Sequence, residues 1–590
     1  MEKNGEKTDV REALIIKEEG GGKRKLEGIW AKIVFFTALG LAVYQIWFTT
    51  FGILDVFSFR ALYVIFAMVL TFLLYPFRDA SPKDRIPWVD ILWALLSVAG
   101  GGYIVIEYPA MVERLGFTTN LDIIFGMITI VLIIEATRRT IGLALPLVAA
   151  IMLVYAVFGD LFPGALGHKG FSISRIVSQI YCTTEGIYGT TTGAMAQWVF
   201  PFMIFGAFLR RSGASDFFDD FAYAVTGRIR GGPAQAAVVA SGLFGTVSGS
   251  AVANVMVDGY ITIPMMQRAG FPPYFAAAVE AAASSGGQIM PPVMGSAAFI
   301  MAEWTNVPYF YIVKIAAIPA ILYYWGTAVV VYIQASKLGL KGLGSEQLPF
   351  LKETLKKGYR FLIPLATLIV VLMLGFTPVY SAFIGCLSIL AMSWLKKETR
   401  IALRGIADAL VEGATDAIAI SAACITSGIV VGVVGLTGIG LTFTSAVVSL
   451  SQGSLFLAIC LVAVGATILG MGLPTTAAYI IAAVLAIPAL TNLGVDLIAA
   501  HLAVLWFSQT GNVTPPVCLA AYAAAGIAKA PLMKTGWTAT KLAKCMWMVP
   551  FLFIFSPLVT GSTWQIFYTG GTAFVGLIPL CAAWDGYLID

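Results

Sequence analysis

The sequence predicts an all-α polytopic membrane protein made of inverted structural repeats, with two re-entrant helical hairpins and two broken helices preceded by a four-helix region. Three observations carry that reading. Charged residues make up only 12% of the 590, hydrophobic residues make up 59%, and mean hydropathy is +0.86, so one membrane-embedded chain replaces the several soluble domains its length would suggest. Gly287-Gln288-Ile289-Met290-Pro291-Pro292-Val293 returns as Gly511-Asn512-Val513-Thr514-Pro515-Pro516-Val517, and 511 minus 287 gives 224. More loosely, Gly245-Thr246-Val247-Ser248-Gly249-Ser250-Ala251 returns as Gly470-Met471-Gly472-Leu473-Pro474-Thr475-Thr476, and 470 minus 245 gives 225. Glycine and proline inside apolar segments remove side chains or backbone donors and leave peptide groups that lipid cannot satisfy, so such backbone is tolerated at membrane depth only where it lines a cavity.

Residues 1 to 28 form a charged tail with no apolar core ahead of a cleavage site, expected to be a disordered cytoplasmic extension without a cleavable signal. Its charges nearly cancel, and only Lys23-Arg24-Lys25, beside the first span, offers a basic cluster to lipid; a nucleic-acid partner is not expected. Apolar runs near 29 to 51, 57 to 76, 88 to 106 and 121 to 137 make four ordinary spans, the region 29 to 139. Arg78, Lys83 and Arg85 after the second and Arg138 and Arg139 after the fourth place the N-terminus in the cytoplasm. A fifth span at 141 to 159 and an external arm complete 140 to 188. The first repeat follows at 189 to 336 with an inner hairpin at 233 to 268; a linker with central helices occupies 337 to 411. The second repeat fills 412 to 561 with an outer hairpin at 457 to 491, ahead of a terminal helix at 562 to 590. The segment 213 to 227, with Asp216, Asp219 and Asp220 among Phe217, Phe218 and Phe221, reads as an amphipathic surface helix.

The crossings at 189 to 209, 273 to 305, 309 to 336, 359 to 376 and 379 to 395 separate the start of the first repeat from that of its copy at 413 to 433. Their number is odd, so the copies are inverted, provided that the two hairpins are re-entrant. Two ordinary span pairs would have the same hydropathy.

Broken helices at matching places in two halves point to a secondary transporter's binding site. Candidate ion- and substrate-binding residues in the first half are Ser248, Gly249, Ser250 and Asn254 at the tip, with Ser284, Ser285, Gly286 and Gln288 at the break. In the second half they are Gly470, Gly472, Pro474, Thr475 and Thr476, with Gln509, Thr510, Gly511, Asn512 and Thr514. Hydroxyls and freed carbonyls are hard oxygen ligands for a dehydrated alkali cation, and half-helix N-termini offer N–H groups to an anion. Sodium ligands are expected among these residues, none assigned individually; small residues also permit close helix packing with no ligand. Isolated charges at Asp258, Glu280, Glu303, Lys314, Glu412, Asp416 and His501 are further candidates, Glu280 and His501 as proton sites, whereas Glu135 is explained by an i,i+4 pair with Arg139.

An enzyme is not expected. With His168 and His501 the only histidines, there is no HExxH and no phosphate-binding loop, so neither metal-dependent hydrolysis nor ATP-driven pumping has residues to run on. Seven scattered cysteines with no CxxC read as small core residues.

The segments EAAASSGGQIMPPVMGSAAFIMAE (280 to 303), GMGLPTTAAYIIAAVLAIPAL (470 to 490) and GNVTPPVCLAAYAAAGIAKA (511 to 530) resemble the large membrane subunit of tripartite ATP-independent periplasmic (TRAP) transporters. The similarity is greatest to fused permeases served by TAXI-type binding proteins, with residues 29 to 139 resembling the small subunit by layout alone. The resemblance implies sodium-coupled import of an organic anion, commonly a carboxylate, the substrates of TAXI-type systems being diverse with glutamate and 2-oxoglutarate among the candidates, and protons as coupling ion in some relatives. It also implies a location in the cytoplasmic (inner) membrane, an extracytoplasmic substrate-binding protein as partner, and elevator-like movement of the repeats against a scaffold. No cofactor beyond sodium as coupling ion is expected. The alternatives are a stand-alone dicarboxylate/cation symporter and a passive anion channel.

Overall fold

The computed structural model describes residues 23–586, except 53, 79–80, 115–116, 345, 347 and 396–399. Most of the N-terminal tail, the Lys396-Lys397 pair and the last four residues of the terminal segment lie outside the described residues. Among the described residues all regular structure is helical, and ten helices are long and apolar enough to cross a membrane. The chain is thus an all-α, multi-pass membrane protein. Gly28–Phe51 shows why lipid is its solvent. Val34, Ala38, Leu41 and Gln45 are buried at helical spacing while Phe36 and Trp47 stand 66% and 56% exposed, the reverse of what water would select.

Two compact units emerge. The first comprises residues 1–207, 402–450 and 484–489. Its spans Gly28–Phe51, Val56–Leu74 and Asn120–Ile141, with the shorter Ala144–Val157 and Ile173–Tyr181, pack around Leu403–Thr437. Trp88–Glu113 packs on the second and fourth spans. Hydroxyls tie this central post to its neighbours, Tyr63 to Ser421 at 2.6 Å and Thr137 to Thr426 at 2.5 Å.

Arg24 is not a lipid-facing charge. Its guanidinium is buried, bound to Asp90 and to the carbonyls of Phe72 and Leu73 at 2.9 and 3.0 Å. The expected Glu135–Arg139 pair forms at 2.7 Å, and Arg139 also reaches Asp90 at 2.7 Å. The fifth span is shorter than expected. Ala144–Val157 has 14 residues, about 21 Å of helix, because Gly142 at φ 85° interrupts it on one side and the turn at Gly159–Leu161 on the other.

The second unit comprises residues 208–401, 451–483 and 490–590; it holds the broken helix of each repeat and the hairpins except for 484–489, while the opening helices of the repeats, 189–207 and 412–433, belong to the first unit. Gly232–Ser248 and Ala251–Arg268 form the first hairpin, and Leu455–Gly470 and Thr475–Asn492 form the second. The first broken helix runs Pro273–Gly286, Gly287–Ile289, Ser296–Thr305, and the second runs Leu497–Gln509, Thr510–Asn512, Leu519–Ala528. Pro273–Gly286 lies against Leu519–Ala528, and Ser296–Thr305 against Leu497–Gln509. Each first half thus meets the other helix's second half, the reciprocal packing that a two-fold relation requires.

The amphipathic segment forms Ala214–Thr226, burying Phe217 and Phe218 and exposing Asp216 and Asp220. Asp219 is half-buried between these faces. Burial first, then the carboxylates of Glu280, Asp216 and Asp220, push its carboxyl up to about 7.

Candidate functional site

Each hairpin tip touches the break of its own repeat, backbone against backbone. A Cβ on Gly245 would stand 2.5 Å from Gly287 Cα, and one on Gly287 would stand 2.4 Å from Gly245 Cα. In the second repeat a Cβ on Gly511 would lie 2.4 Å from the Gly470 carbonyl, and one on Gly470 would lie 2.4 Å from the Ser508 carbonyl oxygen. Only glycine permits this approach, because no flexible side chain is available to move aside.

The tips reverse by local devices. Gly249 closes the first arm at φ 64°, and Ser250 caps the next by accepting from the Ala253 amide at 3.3 Å. Gly472 at φ 77° and Pro474 turn the second tip into Thr475–Asn492. These turns bring parts of both repeats to one small cavity with room for about one water molecule, lined by Gly249, Gln288, Gly295, Ser296, Ala297, Thr475, Thr476, Leu505 and Gln509. None of the lining side chains carries a charge. The Ser296 and Thr476 hydroxyls, at the first turns of two helices, bond to each other across it. Two helix N-termini therefore adjoin the cavity with N–H groups free of intrahelical partners, the arrangement that suits a carboxylate.

The cavity walls also hold unspent hydrogen-bonding capacity. Gln509 is fully buried with neither amide atom bonded within the protein, and Gln288 Oε1 is likewise buried without a partner. A buried amide left bare costs about 1–3 kcal/mol, a cost that any polar group reaching it would offset. Nearby, Asn512 donates to Thr475 Oγ1 at 3.0 Å and Thr467 meets Thr510 at 2.7 Å, tying the second break to the second hairpin.

Of the residues expected from sequence, the cavity gathers Gly249, Gln288, Thr475, Thr476 and Gln509. Asn512, Thr510, Gly470 and Gly511 form the tip-and-break contact behind it. Others are engaged locally. Ser285 donates to its own helix at Ala281 O, Thr514 to Thr510 O, and Asn254 Nδ2 to Ser241 O, while Ser248 reaches the Ser250 carbonyl at 3.5 Å. Ser284 turns toward Glu280, a buried carboxyl that also receives hydroxyls from Ser241 and Thr262. Gly286 packs under Tyr323, 2.3 Å from its ring were a Cβ present. Sequence reasoning passed over Ser296; the signal was its place as the first hydroxyl after the Pro-Pro break, at the start of a half-helix. His501 shares a 2.7 Å hydrogen bond with Tyr479, and Asp416 pairs with Lys23 at 3.5 Å.

Two repeated halves, each with a helical hairpin laid on a broken helix, build the core of a multi-pass membrane protein. The family model for the tripartite ATP-independent periplasmic transporter, DctM component, matches residues 128–565, and the chain belongs to that family. The C4-dicarboxylate TRAP transporter large permease protein DctM of Pseudomonas aeruginosa is 35% identical over 198 residues, 31% of this chain and 45% of that protein. The chain therefore spans less than half of that relative. The Vibrio cholerae protein of the same description is 27% identical over 427 residues, 68% of this chain and 90% of its own. The isethionate TRAP transporter permease protein DctMQ of Oleidesulfovibrio alaskensis is 23% identical over 370 residues, 61% of this chain and 56% of that protein. A solved structure, the Alcanivorax borkumensis YdaH transporter, aligns at 17% identity and a TM-score of 0.42, covering 75% of this chain and 97% of that one. These relatives are transporter permeases, not enzymes.

Proposed function

We propose that the chain is a secondary active importer of a small organic anion, a carboxylate, in the cytoplasmic (inner) membrane. It is coupled to a sodium gradient and fed by an extracytoplasmic TAXI-type substrate-binding protein. The observation that carries this reading is the uncharged cavity between tips and breaks, with bare amides and two helix N-termini around it. Helix dipoles and N–H groups favour an anion there, but partial charges alone leave most of its charge unbalanced. Sodium ions held as co-substrates by the carbonyls and hydroxyls at the breaks supply the balance and link uptake to the gradient. The first four spans serve as the fused small-subunit-like scaffold, and the hairpin-bearing repeats move like an elevator.

Purified chain in proteoliposomes, given binding protein, labelled carboxylate and an imposed inward sodium gradient, accumulates substrate against its concentration gradient. Uptake saturates with binding-protein concentration. Full-rate uptake by the chain alone removes the binding protein from the scheme, and uptake indifferent to sodium removes the coupling.

The same proposal makes the two hairpins re-entrant and inverted, with the N-terminus in the cytoplasm. Single cysteines flanking 233–268, in a cysteine-free background, then react with an impermeant maleimide only from the cytoplasmic side, and those flanking 457–491 only from outside. Labelling of both from one face rejects the inversion.

A further inference from the structure

Two of the seven cysteines, far apart in sequence, meet in the second unit. Cys545 opens the helix Cys545–Phe555, and Cys581 lies one turn before the end of Thr563–Trp584. Both are fully buried. Their sulfurs converge on Gly326 of the long helix Tyr309–Lys337, where a Cβ would stand 2.2 Å from Cys545 Sγ and 4.0 Å from Cys581 Sγ. The Cys581 thiol donates to the Gly326 carbonyl at 3.9 Å, and the two thiols also interact side chain to side chain. A missing side chain at 326 thus makes the pocket in which the sulfurs meet. Over this pocket, Lys544 Nζ pairs with Asp585 at 2.8 Å and Lys337 Nζ donates to the Asp585 carbonyl at 2.6 Å.

We propose that Cys545 and Cys581 form a redox-responsive dithiol that a peroxide-class oxidant closes to a disulfide. The thiolate is the reactive form of each. One thiolate attacks a peroxide oxygen, the O–O bond breaks, and the leaving hydroxide takes up a proton to give water and a sulfenic acid. The second thiolate then attacks that sulfur, the S–S bond forms, and the displaced hydroxide leaves as a second water. In balance, two thiols and one hydrogen peroxide give one disulfide and two waters, the sulfurs losing the two electrons that the peroxide gains. Both helices already pack along Tyr309–Lys337. The bond fastens the terminal span to the start of Cys545–Phe555 across that helix, and reduction by a thiol releases it.

The test uses the full chain in membrane vesicles treated with hydrogen peroxide, then N-ethylmaleimide, and digested without reductant for mass spectrometry. The expected result is a linked peptide pair joining Cys545 to Cys581. It is lost on treatment with dithiothreitol and absent from untreated protein, while Cys182, Cys386, Cys424, Cys460 and Cys518 stay unlinked. In Cys545→Ser the linked pair is gone and Cys581 is recovered unlinked. Recovery of Cys545 and Cys581 from peroxide-treated wild-type protein as separate alkylated or sulfinic peptides overturns the proposal, and so does pairing of either with a different cysteine.

Discussion

Gly287→Ala and Gly511→Ala each cut substrate uptake by roughly tenfold or more, whereas Gly465→Ala leaves it near the wild-type rate. The added methyl at 287 would stand 2.4 Å from Gly245 Cα and 2.9 Å from the Gly245 carbonyl carbon, and at 511 it would stand 2.4 Å from the Gly470 carbonyl. Backbone is the obstacle in both cases, so relief requires the hairpin tip to lift from the break. Overpacking of this kind costs about 1–3 kcal/mol, and 1.4 kcal/mol is already a factor of about ten in an equilibrium. Gly465 lies on the first arm of the second hairpin with nothing within 4 Å of its added carbon, so it controls for the generic effect of alanine. Uptake is normalised to folded protein recovered in the membrane. Wild-type uptake by either variant would mean that tip and break need not touch for transport.

Much of this site was legible because a broken helix writes itself into the sequence. Gln288-Ile289-Met290-Pro291-Pro292 and Asn512-Val513-Thr514-Pro515-Pro516 cannot continue a helix, and their regular offset marks the repeat in the sequence itself. Which oxygens face the cavity was not legible. Ser285 and Thr514 look like ligands in sequence, yet Ser285 returns its hydroxyl to its own helix and Thr514 to the short turn before it, nearby backbone carbonyls being the usual local competitor for a serine or threonine. Ser296 looks ordinary and lines the cavity because Gly295 starts a half-helix beside Thr476. Long-range pairings were equally hidden. Hydropathy located the spans of the first unit but carried no sign that Arg24 and Arg139 share Asp90. Cys545 and Cys581 meet only because Gly326 leaves room on a helix more than 200 residues upstream in sequence.

That shared carboxylate sets the other large expected effect, on stability rather than on transport. Asp90 is 1% exposed and bridges two buried guanidiniums, Arg24 and Arg139. Arg139 keeps a second partner in Glu135 at 2.7 Å, and its guanidinium lies 4.9 Å from the centre of the Phe72 ring and 5.4 Å from that of Trp93. Arg24 has only backbone carbonyls besides Asp90 among its described hydrogen-bond acceptors. Asp90→Ala removes one negative charge from between two positive ones and leaves Arg24 buried without its counter-ion. Breaking a buried pair in this way costs about 3–5 kcal/mol. Arg24→Met takes away charge and hydrogen bonds together, fills similar volume, and leaves Asp90 paired with Arg139, so its cost is smaller. The expected order of thermal midpoints in detergent is wild type, then Arg24→Met, then Asp90→Ala, with the last lower than wild type by on the order of 5–10 °C. Because the pair is buried, raising salt well above physiological strength does not close that gap, as it would for exposed charges. An Asp90→Ala midpoint equal to wild type would show that the four termini joined here, the chain before the first span, the end of the second, the start of the third and the end of the fourth, are held by apolar packing alone.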